Sequence, residues 1–524
     1  MKGASIFNDV IGPVMRGPSS SHTAGAFHIG AMARSLLGVR PAAAVIAFDA
    51  DGSYAKCYRE QGVGLAFAVG LMGWPMADDR FPDAVRAAAE AGLKMDFVVR
   101  KLPQADHPNT VDIQLTSAEG RTLHAMARSV GGGAIEVVRI DDWPVHFTGD
   151  AHEIAVETEG GAETQALALL AADGAILGKP DRQSRAGRSF ISLRRRLPLP
   201  ADARSALAAL QGVRQVWEAE PVFFVRSGAP IFGSANEMVR LAGERGLSLG
   251  RLALEYESTI LGLSQEDVLA EMRRRLDIMR QAVERGLAAS PPAMQLLAPS
   301  AGSLYAADRE GRLAAGGLHT RAAARALAVM HVNSGMGVVC AAPTAGSAGV
   351  LPAVLVTLIQ EKGLDLQRAA IALLAAGAVG VVVANRATFA AEVAGCQVEI
   401  GAAGAMAAAA VVDASGGTPA QAADAAAIAF QNTMGSVCDL VQGIVEIPCH
   451  TRNAAAASNA FLCADMILGG YANPIPLDET VDAVQAVGKM LPRELRCTAL
   501  GGLAATPSAK AMKRRRQERR ELTE

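Results

Sequence analysis

Seven cysteines are spread along the 524 residues, and three of them sit in contexts that could do chemistry. Cys438 and Cys449 bracket the segment CDLVQGIVEIPC, and Cys396 lies well upstream in AGCQVEIG. None of this is the C-x-x-C spacing of a zinc site. Cys396 follows Gly395, Cys449 follows Pro448 and Cys438 precedes Asp439, so each is expected at an element end from which a thiolate can turn toward a shared centre. Three thiolates suit a soft, multi-iron site. Free cysteine is also among the most buried residues, so packing and ligation both stay open on spacing alone. An odd number of cysteines in a long chain argues against a disulfide framework.

Two further groups could bind or move protons. The run Ser19-Ser20-Ser21-His22-Thr23 combines hydroxyls with an imidazole, and His107 opens His-Pro-Asn-Thr. Histidine is the usual base near neutral pH, although a Ser/Thr/His run also serves as an ordinary turn and helix cap. The turn Pro343 to Gly349, with Thr344, Gly346 and Ser347, precedes an apolar helix; its small residues would let backbone N–H groups approach a carboxylate. Arg452 is either a carboxylate clamp or a structural ion-pair partner.

The elements that must position these groups fall into three stretches, consistent with about 100–200 residues per domain. Residues 1–150 alternate helices and strands: a helix over 24–37, a strand over 42–50, a helix over 64–72, and strands on either side of Gly131-Gly132-Gly133. Residues 151–226 read strand, helix, strand, strand, helix, strand, an order that resembles an ACT domain, the ferredoxin-like module that commonly binds amino acids. From 227 to 524 the pattern is helical. Ser234 with Glu237 is expected to form a capping box, Ser264 with Asp267 a looser one, and Gly286 a C-cap. The expected architecture is an α+β domain, a ferredoxin-like middle domain and an all-α domain that carries the cysteines. The tail KAMKRRRQERRELTE is expected to be a solvated helix or a frayed end.

Composition narrows the class. Lys plus Arg total 50 against 52 Asp plus Glu, so no global field favours nucleic acid or an anionic membrane. Half the residues are apolar but only 4% aromatic, which calls for cores of Ala, Val, Leu and Gly with closely packed helices. The apolar stretch 369–385 is expected to be a buried helix rather than a membrane span. The N-terminus lacks the apolar core and cleavage site of a signal peptide, so a cytoplasmic location is expected.

Four segments resemble the catalytic region of the iron–sulfur-dependent L-serine dehydratases: SGMGVVCAAPTAGSAGVLPAVL from Ser334, AGCQVEIGAAGAMAAAA from Ala394, CDLVQGIVEIPCHTRNA from Cys438 and ALGGLAATPSAK from Ala499. IGPVMRGPSSSHTAGAFHIGAMA from Ile11, DHPNT from Asp106 and SVGGGAIE from Ser129 resemble the family's smaller N-terminal region. The resemblance spans nearly the whole chain. It implies a single chain with fused small and catalytic regions, a [4Fe–4S] cluster on Cys396, Cys438 and Cys449, and β-elimination from L-serine to pyruvate and ammonia. It also implies a small-molecule amino-acid substrate, with no nucleic acid or membrane partner. Copies are expected to assemble as a homo-oligomer, a dimer. His107 and His22 are the candidate bases. Ser19, Ser20, Ser21, Thr23, Thr344, Gly346, Ser347 and Arg452 are the candidate substrate contacts.

Two departures matter. Related chains carry a histidine in the segment corresponding to CYREQGVG, where this sequence has Gln61, and glutamine cannot act as a base. That leaves His107 or His22, a different β-hydroxy or β-thiol amino acid as substrate, or a non-catalytic amino-acid or redox sensor. Members of the single-chain branch can also carry a cysteine near the C-terminus that occupies the open iron; here the chain ends Leu522-Thr523-Glu524, and Cys497 either replaces that cysteine or the device is absent. Cys57, Cys340 and Cys463 are read as packing residues. A pyridoxal-phosphate lyase would need a Schiff-base lysine. Between Ala322 and Leu500 only Lys362 and Lys489 occur, neither in a phosphate-loop context.

Overall fold

The structure is a computed structural model that describes residues 3–514. It divides into two compact units, Ala24–Gly228 and a second made of Met1–Thr23 with Ala229–Glu524. The expected tail helix lies mostly outside the described residues; the last helix within them is Pro507–Ala511.

The unit Ala24–Gly228 contains two sheets. The first runs in the order Lys94–Arg100, Pro41–Asp49, Thr110–Ser117, Thr122–Gly131, Ala134–Ile140, Trp143–Phe147. Lys94–Arg100 and Pro41–Asp49 are parallel and the remaining neighbours antiparallel, so the sheet is mixed. Helices Gly25–Leu37 and Val63–Met72 pack on each other in the same unit. The second sheet runs Val213–Ala219, His152–Glu159, Arg188–Arg195, Ile176–Arg185, with every pair antiparallel. Alternation along a strand puts Ile154 and Val156 on one face. Together with Ile191 and Leu193 they are sealed by Leu170 and Leu207, from helices Glu163–Ala171 and Ala201–Ala209. The strand and helix order expected for 151–226 is therefore observed. Cys57 ends a short helix, Ser53–Cys57, and is buried.

The other described unit is mainly helical. Leu366–Arg386, Ile400–Ala414, Pro419–Gln431, Cys449–Leu468 and Leu318–Ser334 pack side by side. Ile400–Ala414 is buried along nearly its whole length behind side chains no larger than Ala at most positions, which brings backbones close. Leu366–Arg386 and Cys396–Ala414 are long and apolar enough to cross a membrane, yet 83% and 89% of their apolar windows are buried within the protein, as core helices of a soluble domain would be. Ser234 and Ser264 cap their helices by accepting from the Glu237 and Asp267 N–H groups. The Glu237 carboxylate accepts from the Gly233 N–H instead of closing the box on Ser234.

Gly286 is not a cap. It lies inside Gln265–Leu287, where an added Cβ would sit 1.9 Å from the Ala328 carbonyl oxygen, so its role is to admit the crossing helix.

The first residues of the chain are built into this unit. Val14–Arg16 pairs antiparallel with Val338–Cys340. Ile6 and Val10 fill notches at Gly377 and Gly380, where Cβ atoms would approach their side chains to 2.6 and 2.0 Å. The fully buried Glu257 accepts from Ser5 Oγ and from the Ile6 and Phe7 N–H groups, fixing the segment that leads to residues 17–23.

Candidate functional site

Cys396, Cys438 and Cys449 are 1%, 1% and 3% exposed and converge in the helical unit. Each sits where regular structure begins or breaks. Cys396 opens a single 3-10 turn after Gly395, whose φ of +78° would strain a side chain. Cys438 precedes an irregular loop, and Cys449 is the first residue of Cys449–Leu468. The Cys396 and Cys438 thiols are hydrogen-bonded to each other, and a ligand atom from each, with one from Glu399, falls within 4.8 Å of the others.

A fourth thiol belongs to this corner. Cys438 N–H donates to the Leu495 carbonyl at 2.8 Å and Cys497 N–H to the Cys438 carbonyl at 2.9 Å, so the two segments run as a short ladder. The Cys497 side chain is hydrogen-bonded to Cys438 and half-buried, with a left-handed backbone at φ +61°. Non-glycine residues are held in that conformation only by their surroundings.

The electrostatics separate these thiols. The hydrogen bond with Cys438, helped by the Arg452 guanidinium, holds Cys396 below the usual thiol range. The same bond pushes Cys438 well up, with Cys497 and burial adding to it. Burial, then the neighbouring Cys396 and Glu399, raises Cys449. At Cys497 the bond to Cys438 lowers the thiol, but burial and the Glu392 and Glu399 charges together outweigh it. Glu399 is raised well above the carboxylate range by burial and then by Cys396 and Glu392.

Arg452 is the counter-charge. It donates to the Val437 carbonyl at 2.6 Å, points at Cys396 Sγ at 3.7 Å and pairs with Asp439 at 3.0 Å. Asp439 in turn accepts from the Leu503 N–H, which ties in the GGLAA segment. Asn453, fully buried, accepts from the Gly349 N–H and donates to the carbonyls of Gly346 and Cys449. It clamps the Pro343 to Gly349 turn onto the cysteine helix.

That turn faces the thiols. Thr344 and Ser347 close a reciprocal cap, Thr344 also hydrogen-bonds Glu399, and a Cβ on Gly346 would lie 3.4 Å from the Glu399 carboxyl. The Ala345 N–H is 3.4 Å from Ser20 Oγ, which brings in residues 17–23. Asn333 holds the Pro18 carbonyl, and Thr23 N–H donates to the Ser19 carbonyl. Ser19 and Ser21 place their hydroxyls 3.2 and 3.0 Å from His22 Nδ1, and Ser21 donates to Glu392 at 2.8 Å. Burial lowers the His22 pKa, while the nearby Glu392 charge works in the opposite sense.

Ser19, Ser20, Ser21, His22, Thr23, Thr344, Gly346, Ser347 and Arg452 are thus gathered in one unit with the three cysteines. His107 and Gln61 lie in the other unit. His107 is half-buried, with Nδ1 accepting from the Asn109 N–H at 3.1 Å, and Gln61 is buried beside the turn that starts Val63–Met72.

Residues 244–504 match the family described as serine dehydratase alpha chain. A probable L-serine dehydratase alpha chain from Bacillus subtilis is 39% identical over 285 residues, covering 54% of this chain and 95% of that one. The L-serine dehydratase alpha chain of Peptoniphilus asaccharolyticus is 35% identical over 285 residues, 54% of this chain and 98% of its own. The chain belongs to the serine dehydratase family. A probable L-serine dehydratase beta chain from Bacillus subtilis also matches, at 38% identity over 156 residues, covering 30% of this chain and 69% of that one. This serine dehydratase family member thus matches, within one polypeptide, both an alpha and a beta chain of Bacillus subtilis.

Glu392 and Glu399 were absent from the sequence reading of the site. Both flank Cys396 in the stretch 387–399, which is broken into the single turns Ala391–Ala394 and Cys396–Val398 and is too short for periodicity to announce which way a side chain points. The only local signal was a carboxylate inside a run that is otherwise almost wholly apolar, AAEVAGCQVEIG.

Proposed function

We propose that this protein is an iron–sulfur-dependent L-serine ammonia-lyase acting in the cytoplasm, which removes water from L-serine and releases pyruvate and ammonia. The observation that carries the reading is the convergence of Cys396, Cys438 and Cys449 beside a hydroxyl-lined turn and a buried histidine. The donor set fits a [4Fe–4S] cluster: three buried thiols with one cationic neighbour, Arg452, to offset their charge on ionisation. Held by three thiolates, such a cluster supplies an open iron that acts as a Lewis acid toward a hydroxyl leaving group.

The chain's own residues do the rest. Backbone N–H groups of the Pro343 to Gly349 turn, together with the Ser20 hydroxyl beside it, receive the substrate carboxylate and orient Cα. His22 Nε2 takes the Cα proton; burial favours its neutral, basic form. The electron pair of the C–H bond becomes the Cα=Cβ double bond as hydroxide departs from Cβ. The resulting enamine tautomerises to an imine and hydrolyses to pyruvate and ammonia. His107 is the alternative base, and the rates of His22→Asn and His107→Asn decide between them. Residues 151–226 are an ACT-like regulatory module in this reading, supported by their antiparallel βαββαβ order, and the enzyme works as a homodimer.

The test is anaerobic purification with iron and sulfide analysis, followed by ammonia release from L-serine. About four irons and four sulfides per chain with serine turnover are expected. A chain purified without iron under those conditions overturns the reading.

A further inference from the structure

The hydroxyl–imidazole corner contains a proton arrangement that can be solved from its donors and acceptors. Ser21 Oγ donates to Glu392 Oε1 at 2.8 Å. A hydroxyl has one proton, so once it is given to the carboxylate, the Ser21 oxygen can only accept from its other neighbour, His22 Nδ1, at 3.0 Å. Nδ1 must then carry the ring proton. Ser19 agrees with this: its oxygen is 3.2 Å from the same Nδ1, accepts the His22 backbone N–H at 3.3 Å, and lies 3.3 Å from Ser21 Oγ, toward which its own proton can turn. Among these contacts each proton has one acceptor and no two lone pairs face each other. In a neutral imidazole with Nδ1 protonated, the basic lone pair is on Nε2.

We propose that Glu392 is the positioning residue of the catalytic base: through Ser21 it fixes His22 in the Nδ1–H tautomer, so that Nε2 is the atom that accepts the Cα proton. This rests on the reading of His22 as the base given above. Glu392 Oε1 also lies 4.0 Å from Nδ1, close enough for its charge to stabilise the imidazolium formed when Nε2 takes the proton. Its side chain is 14% exposed and His22's is 2%, so solvent screens the pair weakly. The balance is simple. The Cα proton moves to Nε2, hydroxide leaves Cβ, and the two together amount to the water lost.

Glu392→Gln tests the assignment because a glutamine amide can donate to Ser21, which frees the Ser21 proton for Nδ1 and moves the ring proton to Nε2. The readout is the histidine tautomer in the full chain, labelled with ¹⁵N-histidine and followed by long-range ¹H–¹⁵N correlation, with His22 assigned by its loss in His22→Asn. Wild type is expected to show Nδ1–H and Glu392→Gln to show Nε2–H, whereas Glu392→Asp, which keeps an acceptor-only group, retains Nδ1–H. In turnover, Glu392→Gln is expected to lower kcat by about 10²–10⁴-fold with KM changed less than about threefold. The primary isotope effect with Cα-deuterated serine should rise, because proton abstraction becomes slower. Ser21→Ala should give the same isotope effect as Glu392→Gln if the coupling runs through Ser21. An active wild type with the Nε2–H form, or a Glu392→Gln variant with unchanged tautomer and isotope effect, overturns the positioning role. A tautomer that switches from Nδ1–H in wild type to Nε2–H in Glu392→Gln, in a protein whose wild type releases no ammonia from serine, overturns the deamination reading and leaves the coupling between Glu392 and His22 standing.

Discussion

Cys449 and Cys463 lie on one helix, both buried, and meet different chemistry. Cys463 is 0% exposed and shares weak hydrogen bonds with Asn432 and Asn459, while burial pushes its thiol up to about 11. Cys340, in the strand Val338–Cys340, is likewise pushed to about 11 by burial. Cys449 is as well hidden but shares its space with three other thiols, a guanidinium and a half-buried carboxyl. Residue type and burial are the same at all these positions. What separates a packing thiol from a site thiol is the company brought in from other segments, above all Arg452 and Glu399.

The comparison breaks most sharply under substitution of the thiols. Cys396→Ser, Cys438→Ser and Cys449→Ser should each leave less than about one iron per chain and reduce serine deamination more than about 10³-fold. Cys340→Ser and Cys463→Ser should stay within about twofold of wild type. A Cys463→Ser chain that loses its iron would erase the distinction.

The next largest effect comes from the clamp. Asn453→Ala strands the Gly349 N–H and the Gly346 carbonyl, so a loss of about 2–4 kcal/mol in urea unfolding is expected. The exposed Asn432, beside Cys463, should cost less than about 1 kcal/mol as alanine.

A pH series sharpens the picture of what lies behind Cys449. Burial holds His331 at about 4 and His450 at about 3, the latter also repelled by His331. Both values lie below the ordinary histidine pKa of about 6.5, so below that pH the unfolded chain binds more protons than the folded one. Stability is therefore fully present above about pH 6.5 and is lost as pH falls toward 4. His331→Asn should reduce the difference between the unfolding free energies measured in urea at pH 7 and pH 5 by about 2 kcal/mol.

The smallest predicted change is at Arg452. Arg452→Gln removes the counter-charge at Cys396 but keeps the ligands, and loss of iron to a chelator should become about tenfold faster.

These contrasts explain what could be read in advance. The three cysteines, the Ser19 to Thr23 run and the Pro343 to Gly349 turn were legible because small residues, hydroxyls and thiols cluster locally in the sequence. So was the βαββαβ order of 151–226, since strand and helix periods differ. Glu392 and Glu399 were not legible, because their direction depends on how an irregular stretch folds. Gly286 was misread because a helix cap and a close helix crossing call for the same residue. The placement of residues 1–23 with the helical unit depends on Val14–Arg16 finding Val338–Cys340, a pairing that no local pattern encodes.

That strand pairing sets an order of events during synthesis. Val14–Arg16 leaves the ribosome long before Val338–Cys340 exists, and between them comes the whole of Ala24–Gly228, a unit with its own cores. Domains tend to fold as they emerge. The inserted unit can therefore complete itself while its leading segment waits, unpaired, for the second half of the chain. Ser20, Ser21 and His22 are made well before the residues of the second half that they meet. Glu392 follows them by several hundred residues, so no truncated product that stops short of it can close the hydrogen bonds among Ser21, His22 and Glu392.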